Sequence, residues 1–146
     1  MHENAAEDKK RPDLEILVGP RRFLVDVSVV NPAAASYALK ASTERLSAAA
    51  ARETVKERKY ESMAAEAKAE FFPFVVESVG GFGEKATAFV EQLVKATIDS
   101  HSAWCPHEVV YGIHRVVAIA VQRGNALMAS AAMSRRPVAR PDRRQD

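Results

Sequence analysis

Two aspartates and two lysines are the residues of this chain whose types and order could do chemistry. Asp13 and Asp26 lie 13 positions apart, and Lys56 and Lys59 follow in a stretch of helical composition. Hydrolysis of a phosphodiester with a divalent metal needs hard oxygen ligands held close together. It also needs a cation that stabilises the charge developing on the phosphate. Two carboxylates and one ammonium group would meet both needs if the fold brought them together.

A β-hairpin is the element that could bring the two aspartates together. Residues 14–18 run into the turn signal Gly19-Pro20, and a run rich in β-branched and aromatic residues extends from 23 to 30. The pattern predicts two strands joined by residues 19–22. A turn centred near residues 20 and 21 would pair position 13 with position 27 or 28, within a residue or two of Asp26.

Asp26 is the most anomalous residue of the predicted hairpin. Strand alternation places it on one face with Leu24, Ser28 and Val30. An acid in the middle of so hydrophobic a strand is costly unless it is exposed or bound to something. From spacing alone, the plainer interpretation is that Asp13 caps a strand and Asp26 is satisfied by a buried hydrogen bond, since two aspartates are a common coincidence.

The rest of the chain predicts three helices and one further strand. A long helix is expected from Thr43, its predicted N-cap, to about Glu70, because this stretch lacks Gly and Pro. A strand is predicted over 71–78, and helices over 84–98 and from about 106 to 133. The order β-β-α-β-α-α indicates a mixed α/β fold with helices packed on a small sheet.

The long helix carries an apolar stripe with a basic flank. The predicted stripe consists of Leu46, Ala50, Tyr60, Ala64 and Ala67. The predicted flank consists of Arg52, Lys56 and Lys59. Taken alone, the lysines read as a solvated helix face paired with Glu53 and Glu57, and Tyr60 as a core residue.

Composition is that of an ordinary globular domain. The chain has 146 residues, 47% hydrophobic and 27% charged, and a net charge of +2. No uninterrupted apolar run is long enough to span a bilayer, no signal region is seen, and the single Cys105 excludes an internal disulfide. Five arginines between Arg135 and Asp146 make the tail basic. A disordered, solvated end is the preferred interpretation, ahead of a weak phosphate-binding arm or nuclear-import patch.

Three short segments together resemble the endonuclease domain of site-specific non-LTR retrotransposons. They are Arg11-Pro12-Asp13, the strand segment Leu-Val-Asp-Val-Ser-Val at 24–29, and Lys-Glu-Arg-Lys-Tyr at 56–60. That domain follows the reverse transcriptase and has a restriction-endonuclease-like fold of the PD-(D/E)xK class. Its pattern is Lys/Arg-Pro-Asp, an acid about a dozen positions on inside a hydrophobic strand, and K-x-x-K-Y on the next helix. Residues 71–83 and 117–126 also look like C-terminal segments of such polyproteins, so the resemblance covers roughly residues 11 to 128.

The resemblance implies a metal-dependent endonuclease that nicks target DNA for insertion. Asp13 and Asp26 would bind one or two Mg²⁺ or Mn²⁺ ions. The general pattern has a lysine two positions after the second acid, where this chain has Ser28. In the retrotransposon branch a helix residue takes this role, and Lys56 is a better candidate than Lys59 because it lies nearer the packed Tyr60 stripe.

The resemblance also implies partners and domain limits. Double-stranded DNA would contact Arg11, Arg52 and Lys59 in the nucleus, and no membrane is expected. A disordered segment is predicted over 1–10, a nuclease-like domain over 11–133 and a basic disordered tail over 134–146. The alternative function is a nuclease-fold remnant without catalysis, inert or binding nucleic acid weakly through the tail. A small interaction module unrelated to nucleases is a third alternative, which predicts Asp26 buried far from Asp13.

The N-terminal part of the family's core looks incomplete. That core normally opens with a helix and a strand before the Pro-Asp strand, and 12 residues precede Asp13. We therefore expect a C-terminal fragment of a retrotransposon protein with an uncovered sheet edge. A homodimer could pair that edge.

Three other features suggest weaker sites. The spacing of His101, Cys105, His107 and His114 matches no common zinc module, so helix-flanking roles are preferred to a metal site. The glycine turn over 80–83 leads into a helix N-terminus that could hold a DNA phosphate. Glu77 could approach the metal as an auxiliary acid or face solvent, and the sequence leaves both open.

Overall fold

A three-stranded mixed sheet organises the computed structural model, which describes residues 11–100 and 105–134. The strands are β1 (Leu14–Val18), β2 (Arg21–Val30) and β3 (Glu70–Glu77). The central strand β2 is antiparallel to β1 and parallel to β3. The predicted mixed α/β class with a hairpin and one further strand is confirmed. The segments predicted to be disordered, 1–10 and nearly all of 134–146, lie outside the described residues.

Helices cover both faces of this sheet. They are α1 (Ala38–Ala41), α2 (Ser47–Glu66), α3 (Glu84–Ser100) and α4 (Pro106–Ser134). Helix α2 connects the parallel strands β2 and β3 and packs on one face, as parallel strands require a crossover. Helices α3 and α4 lie on the other face. The predicted element order is confirmed, with the short α1 added between β2 and α2.

Strand alternation divides the core between these faces. Phe23 and Val25 of β2 belong to the cluster that packs against α3 and α4. Val30, on the opposite face of β2, packs with Ala48 and Ala49 of α2. Asp26 belongs to this second face by alternation, as the sequence predicts. The sheet therefore presents Asp26 to helix α2.

The hairpin turn is shorter than predicted. Val18 pairs with Arg21, so only Gly19 and Pro20 connect the strands instead of the four residues expected. Gly19 has a φ of 57°, which glycine adopts without steric cost and which permits so tight a reversal. The register shifts accordingly: Leu14 pairs with Val25, which places position 13 opposite Asp26 itself and not opposite 27 or 28.

Helix α2 begins later and ends earlier than predicted. The predicted N-cap is wrong, because the Thr43 hydroxyl donates instead to the Lys40 carbonyl (3.2 Å) at the end of α1. Leu46, in the left-handed region with a φ of 59°, is the residue that precedes the first turn of α2. After the helix, Lys68 adopts a φ of 49° and the chain turns into β3.

The N-terminus of α3 is occupied by a carboxylate from α2. Glu53 is buried, and its Oε1 accepts a hydrogen bond from the Lys85 amide (2.9 Å). A Cβ at Gly83 would collide with the same oxygen, so the glycine allows the close approach. The glycine turn therefore serves packing between α2 and α3. The Lys85 amide, at the helix N-terminus that was predicted to hold a DNA phosphate, already donates its hydrogen bond to Glu53.

Helix α4 is long and apolar enough to cross a membrane by length and composition alone. The sequence predicted no uninterrupted apolar run of that length, and single polar residues do interrupt α4, but its mean apolar content is high enough to pass this test. One face of α4 packs on the core, with Val121 buried and Ile113 and Val117 partly buried. Asn125 also ties α4 to the sheet, since its Nδ2 donates to the Ser78 carbonyl (2.7 Å).

We expect Glu53→Gln to change how stability depends on pH. Burial raises the pKa of Glu53 above its ordinary value of 4.5, and the amide hydrogen bonds from Lys85 and Ala86 oppose this only in part. Folding therefore favours the protonated acid. Its contribution to stability is full below about pH 4.5, the unfolded value, and is lost as pH rises through the folded value.

Urea unfolding at several pH values tests this expectation. The free energy of unfolding of the wild type should fall relative to that of Glu53→Gln as pH rises above about 4.5. Glu61→Gln is the matched control, because Glu61 is an exposed acid on the same helix. Parallel pH profiles for wild type and Glu53→Gln would contradict the expectation.

Strand β1 lies at an edge of the sheet, and no strand from residues 11–100 or 105–134 pairs with its outer side, so we expect self-association. Leu14 and Leu17 are 50% and 69% exposed on this strand, and an exposed apolar edge is a template for pairing. Sedimentation equilibrium should give twice the chain mass of 16.0 kDa. Leu17→Lys, a change at an exposed position, should restore the single-chain mass. A wild-type protein with the single-chain mass at all concentrations would contradict this.

Candidate active site

Asp26 and Lys56 form an ion pair in the interior. Asp26 Oδ2 contacts Lys56 Nζ, and the side chains are 4% and 12% exposed. The pair joins the middle of the central strand to the middle of α2. A buried carboxylate is strongly unfavourable without a partner, and the ammonium group supplies one. The plainer interpretation of the sequence was that a buried hydrogen bond satisfies Asp26. The structure shows such a bond, and its donor is the charged Lys56.

Lys56 lies on the sheet-facing stripe of α2 and not on its flank. Glu53 and Tyr60 flank it on the same stripe at helical spacing, and both are buried. Ala50, predicted to belong to this stripe, is exposed. The helix faces the sheet through a stripe that two charged side chains interrupt. This is why apolar residues alone placed the stripe incorrectly.

Asp13 stands beside Asp26. Its Oδ2 accepts a hydrogen bond from the Val27 amide (2.7 Å), the peptide group that directly follows Asp26. The register places position 13 opposite position 26, and opposed residues of an antiparallel pair share a face. Asp13 is exposed and Asp26 is buried, so one acid of the pair is open to solvent and the other lies beneath helix α2. The third alternative, a small interaction module, predicts that Asp26 is buried far from Asp13. In the structure the two residues are instead neighbours.

Tyr60 connects the same helix to the segment that carries Asp13. Its Oη donates a hydrogen bond to the Arg11 carbonyl (3.1 Å), and its ring packs on Phe71 with centroids 4.9 Å apart. Tyr60 is 2% exposed, so the expectation that it is a core residue is confirmed. Lys59 Nζ lies 4.8 Å from the centroid of the Tyr60 ring, and both Lys59 and Arg11 are exposed. Two predicted DNA contacts therefore flank one buried tyrosine.

The other predicted positions are less closely involved. Arg52 is partly buried on α2, one turn before Lys56. Ser28 shares the face of Asp26 on β2. Glu77 is buried, and its Oε1 accepts a hydrogen bond from Ala49 in the first turn of α2 (3.4 Å).

Glu77 is too far from Asp26 to share a metal ion with it. Glu77 pairs with Val30, whereas Asp26 pairs with Pro73, which separates the two acids by about 13 Å of strand at roughly 3.3 Å per residue. The side chain also does not face solvent. Both interpretations of Glu77 are therefore wrong, and its carboxylate instead stabilises the N-terminus of a helix.

The donor set at Asp13 and Asp26 is compatible with Mg²⁺ or Mn²⁺. Both ligands are carboxylates, and Mg²⁺ is usually held by one or two carboxylates together with water and substrate phosphate. Exposed Asp13 opens the pair to solvent. Within residues 11–100 and 105–134, no group of three or more His, Cys, Asp or Glu residues is placed to hold a metal ion, so the pair of aspartates would depend on water and phosphate for the remaining ligands.

The His/Cys cluster has other roles where the structure describes it. The ring of His114 stacks on Phe82 with centroids 4.2 Å apart. Cys105 and His107 are exposed near the start of α4. His101 lies outside the described residues. Stacking of His114 thus joins α4 to the glycine turn.

Sequence reasoning missed the structural roles of Glu53 and Tyr60. Both had been assigned by residue type, Glu53 to a solvated face and Tyr60 to apolar packing. Their separation by seven residues, with Lys56 between, puts all three on one helix stripe. This spacing was the available signal that α2 faces the sheet with polar groups.

We expect Lys56→Met to destabilise the protein by about 3–5 kcal/mol, because it leaves the Asp26 carboxylate buried without a cation. Asp26→Asn combined with Lys56→Met should recover much of this loss. Urea unfolding measures both. Lys59→Met is the matched control and should cost less than about 1 kcal/mol, since it removes only an exposed cation–π contact. Equal losses at the two lysines would contradict a buried ion pair.

Comparison with known proteins identifies no relative. No protein-family model, no curated protein sequence and no solved structure matches this chain.

Proposed function

We propose that this chain is a metal-dependent DNA endonuclease domain, related to the PD-(D/E)xK endonucleases of non-LTR retrotransposons. One observation carries the proposal: Asp13, Asp26 and Lys56, distant in sequence, converge on one face of the sheet. Two carboxylates can hold a divalent ion, and an ammonium group beside them can stabilise the charge that develops on a phosphodiester during hydrolysis. The nuclear location of such a domain is part of the same proposal.

The two carboxylates have different tasks in this proposal. Asp26 is rigid, because it is held in the central strand and by Lys56. Asp13 is exposed, so it meets solvent and substrate. Mg²⁺ or Mn²⁺ bound to this pair would act as a Lewis acid on the phosphate and lower the pKa of water. The ion would be accessible from the side of exposed Asp13, where a DNA backbone can approach.

Lys56 has two roles in succession. Before substrate arrives, its ammonium group neutralises Asp26. With a scissile phosphate at the site, a small rotation of its four-carbon stem would direct the same charge at the phosphate oxygens. A helix lysine can act here in place of a strand lysine because only the position of the ammonium group matters. Position 28, two residues after Asp26, is therefore free to be serine.

Double-stranded DNA is the proposed substrate. Arg11 and Lys59 are exposed on either side of Tyr60, and Arg52 lies one turn before Lys56 on α2. Positive side chains around a carboxylate pair attract the phosphate backbone without reading sequence. These contacts would set the orientation of the duplex, and nicking of one strand is the expected outcome.

A second candidate is a nuclease fold without catalysis. The Asp26–Lys56 pair favours it, because the acid is already neutralised by the protein and folding needs no metal. Such a protein would be inert or would bind nucleic acid weakly through its arginine tail. The two candidates differ in a single measurable property, which is cleavage.

Nicking of supercoiled plasmid DNA tests the proposal. The wild type with Mg²⁺ or Mn²⁺ should convert supercoiled to open-circular DNA, and EDTA should stop it. Asp13→Asn should lower the rate by about 10²-fold or more, because the amide keeps the shape and an acceptor for the Val27 amide but loses the charge. Asp26→Asn should have the same effect.

The control is Asp99→Asn, an exposed aspartate on α3, which should nick like the wild type. Circular dichroism verifies that each variant is folded. If the wild type and Asp13→Asn leave the same background, the enzymatic proposal is wrong. A DNA gel shift then separates weak binding from no binding, the two forms of the second candidate.

A further inference from the structure

Tyr60 is bonded to the backbone just before Asp13, through an atom that packing alone does not require. Its buried ring packs against Phe71, and a phenylalanine ring could pack in the same way. Its Oη, in addition, donates to the Arg11 carbonyl at 3.1 Å. This hydrogen bond joins residues 49 positions apart and crosses from α2 to the segment that precedes β1.

The link from that carbonyl to Asp13 is short and stiff. Only Pro12 lies between Arg11 and Asp13, and its ring holds φ near −65°. Proline also restricts the residue before it to extended conformations. Anchoring the Arg11 carbonyl therefore limits where the backbone of Asp13 can lie. On its other side, Asp13 is held by the Val27 amide at 2.7 Å.

The same helix thus reaches both acids. Lys56 contacts Asp26, and Tyr60, one turn further along α2, fixes the entry to Asp13. We propose that Tyr60 is a positioning residue: its hydroxyl holds Asp13 in register opposite Asp26, so that the two carboxylates can take one divalent cation. The assignment of that carboxylate pair to a cation rests on the proposed function. The anchoring of Asp13 does not.

Loss of the hydroxyl should loosen Asp13 while leaving the core intact. A net hydrogen-bond contribution of the usual size corresponds to roughly a three- to tenfold change in a local equilibrium. In Tyr60→Phe, the Val27 amide should exchange with solvent roughly three- to tenfold faster, because its acceptor on Asp13 is less well held. Groups that orient metal ligands typically change affinity by about 10- to 100-fold, so Mn²⁺ should bind at least about tenfold more weakly.

Nuclear magnetic resonance hydrogen exchange and a Mn²⁺ titration by electron paramagnetic resonance test the proposal on the full chain. Tyr111→Phe is the matched control, because Tyr111 is 63% exposed on α4 and its change should move neither readout. Pro12→Ala should reproduce the faster Val27 exchange without touching the ring packing of Tyr60, since alanine frees the backbone before Asp13.

The outcomes separate the two proposals. Faster exchange confined to the Val27 amide supports positioning, whereas equal acceleration of all amides of β2 indicates general destabilisation and overturns it. Unchanged Val27 exchange in both Tyr60→Phe and Pro12→Ala also overturns it. Wild-type protein that binds no Mn²⁺ refutes the metal site of the proposed function. If Val27 still responds, Tyr60 positions Asp13 for a different purpose.

Discussion

A carboxylate buried in the middle of the central strand requires a compensating charge, and Lys56 supplies it. The Asp26–Lys56 ion pair joins the middle of the central strand to the middle of helix α2, with side chains that are 4% and 12% exposed. A buried carboxylate without a partner costs several kcal/mol. If α2 slid or rotated on the sheet, Lys56 would leave Asp26 and the carboxylate would be left unpaired. The orientation of the helix, and with it every other polar contact of this face, depends on this pair.

Helix α2 makes its other specific contacts from the same stripe. Glu53 accepts a hydrogen bond from the Lys85 amide in the first turn of α3. The Tyr60 hydroxyl donates a hydrogen bond to the Arg11 carbonyl. One helix thereby connects the sheet, the second helical layer and the segment that carries Asp13. These three polar contacts explain why the stripe contains polar side chains at positions where an ordinary amphipathic helix has apolar ones. It also places the candidate site at a junction of three elements, a rigid location suited to holding two acids together.

Elements whose residues alternate or repeat strongly were predictable. The strand β1 was predicted with its observed bounds, β3 with an error of one residue at each end, and α3 with its start at Glu84. The errors fall where local geometry departs from propensity. Gly19-Pro20 closes a two-residue turn, and Leu46 precedes α2 with a positive φ that an apolar side chain rarely adopts. The length of the turn and the positive φ of Leu46 are not visible in residue type, because strand register sets the first and packing elsewhere in the chain sets the second.

The sequence by itself determined which side chains share a face and which residue was anomalous. Alternation placed Asp26 on its face of β2. Helical spacing assigned Lys56 to the flank of α2, whereas the fold places it on the sheet-facing stripe with Tyr60. Only the tertiary structure decided that Asp13 stands opposite Asp26, that Lys56 meets Asp26, and that Glu53 and Glu77 stabilise helix N-termini. Periodicity is a property of one element and can be read along the chain. Pairing of charges is decided between elements, by the register of a turn and by the free energy of burying a carboxylate.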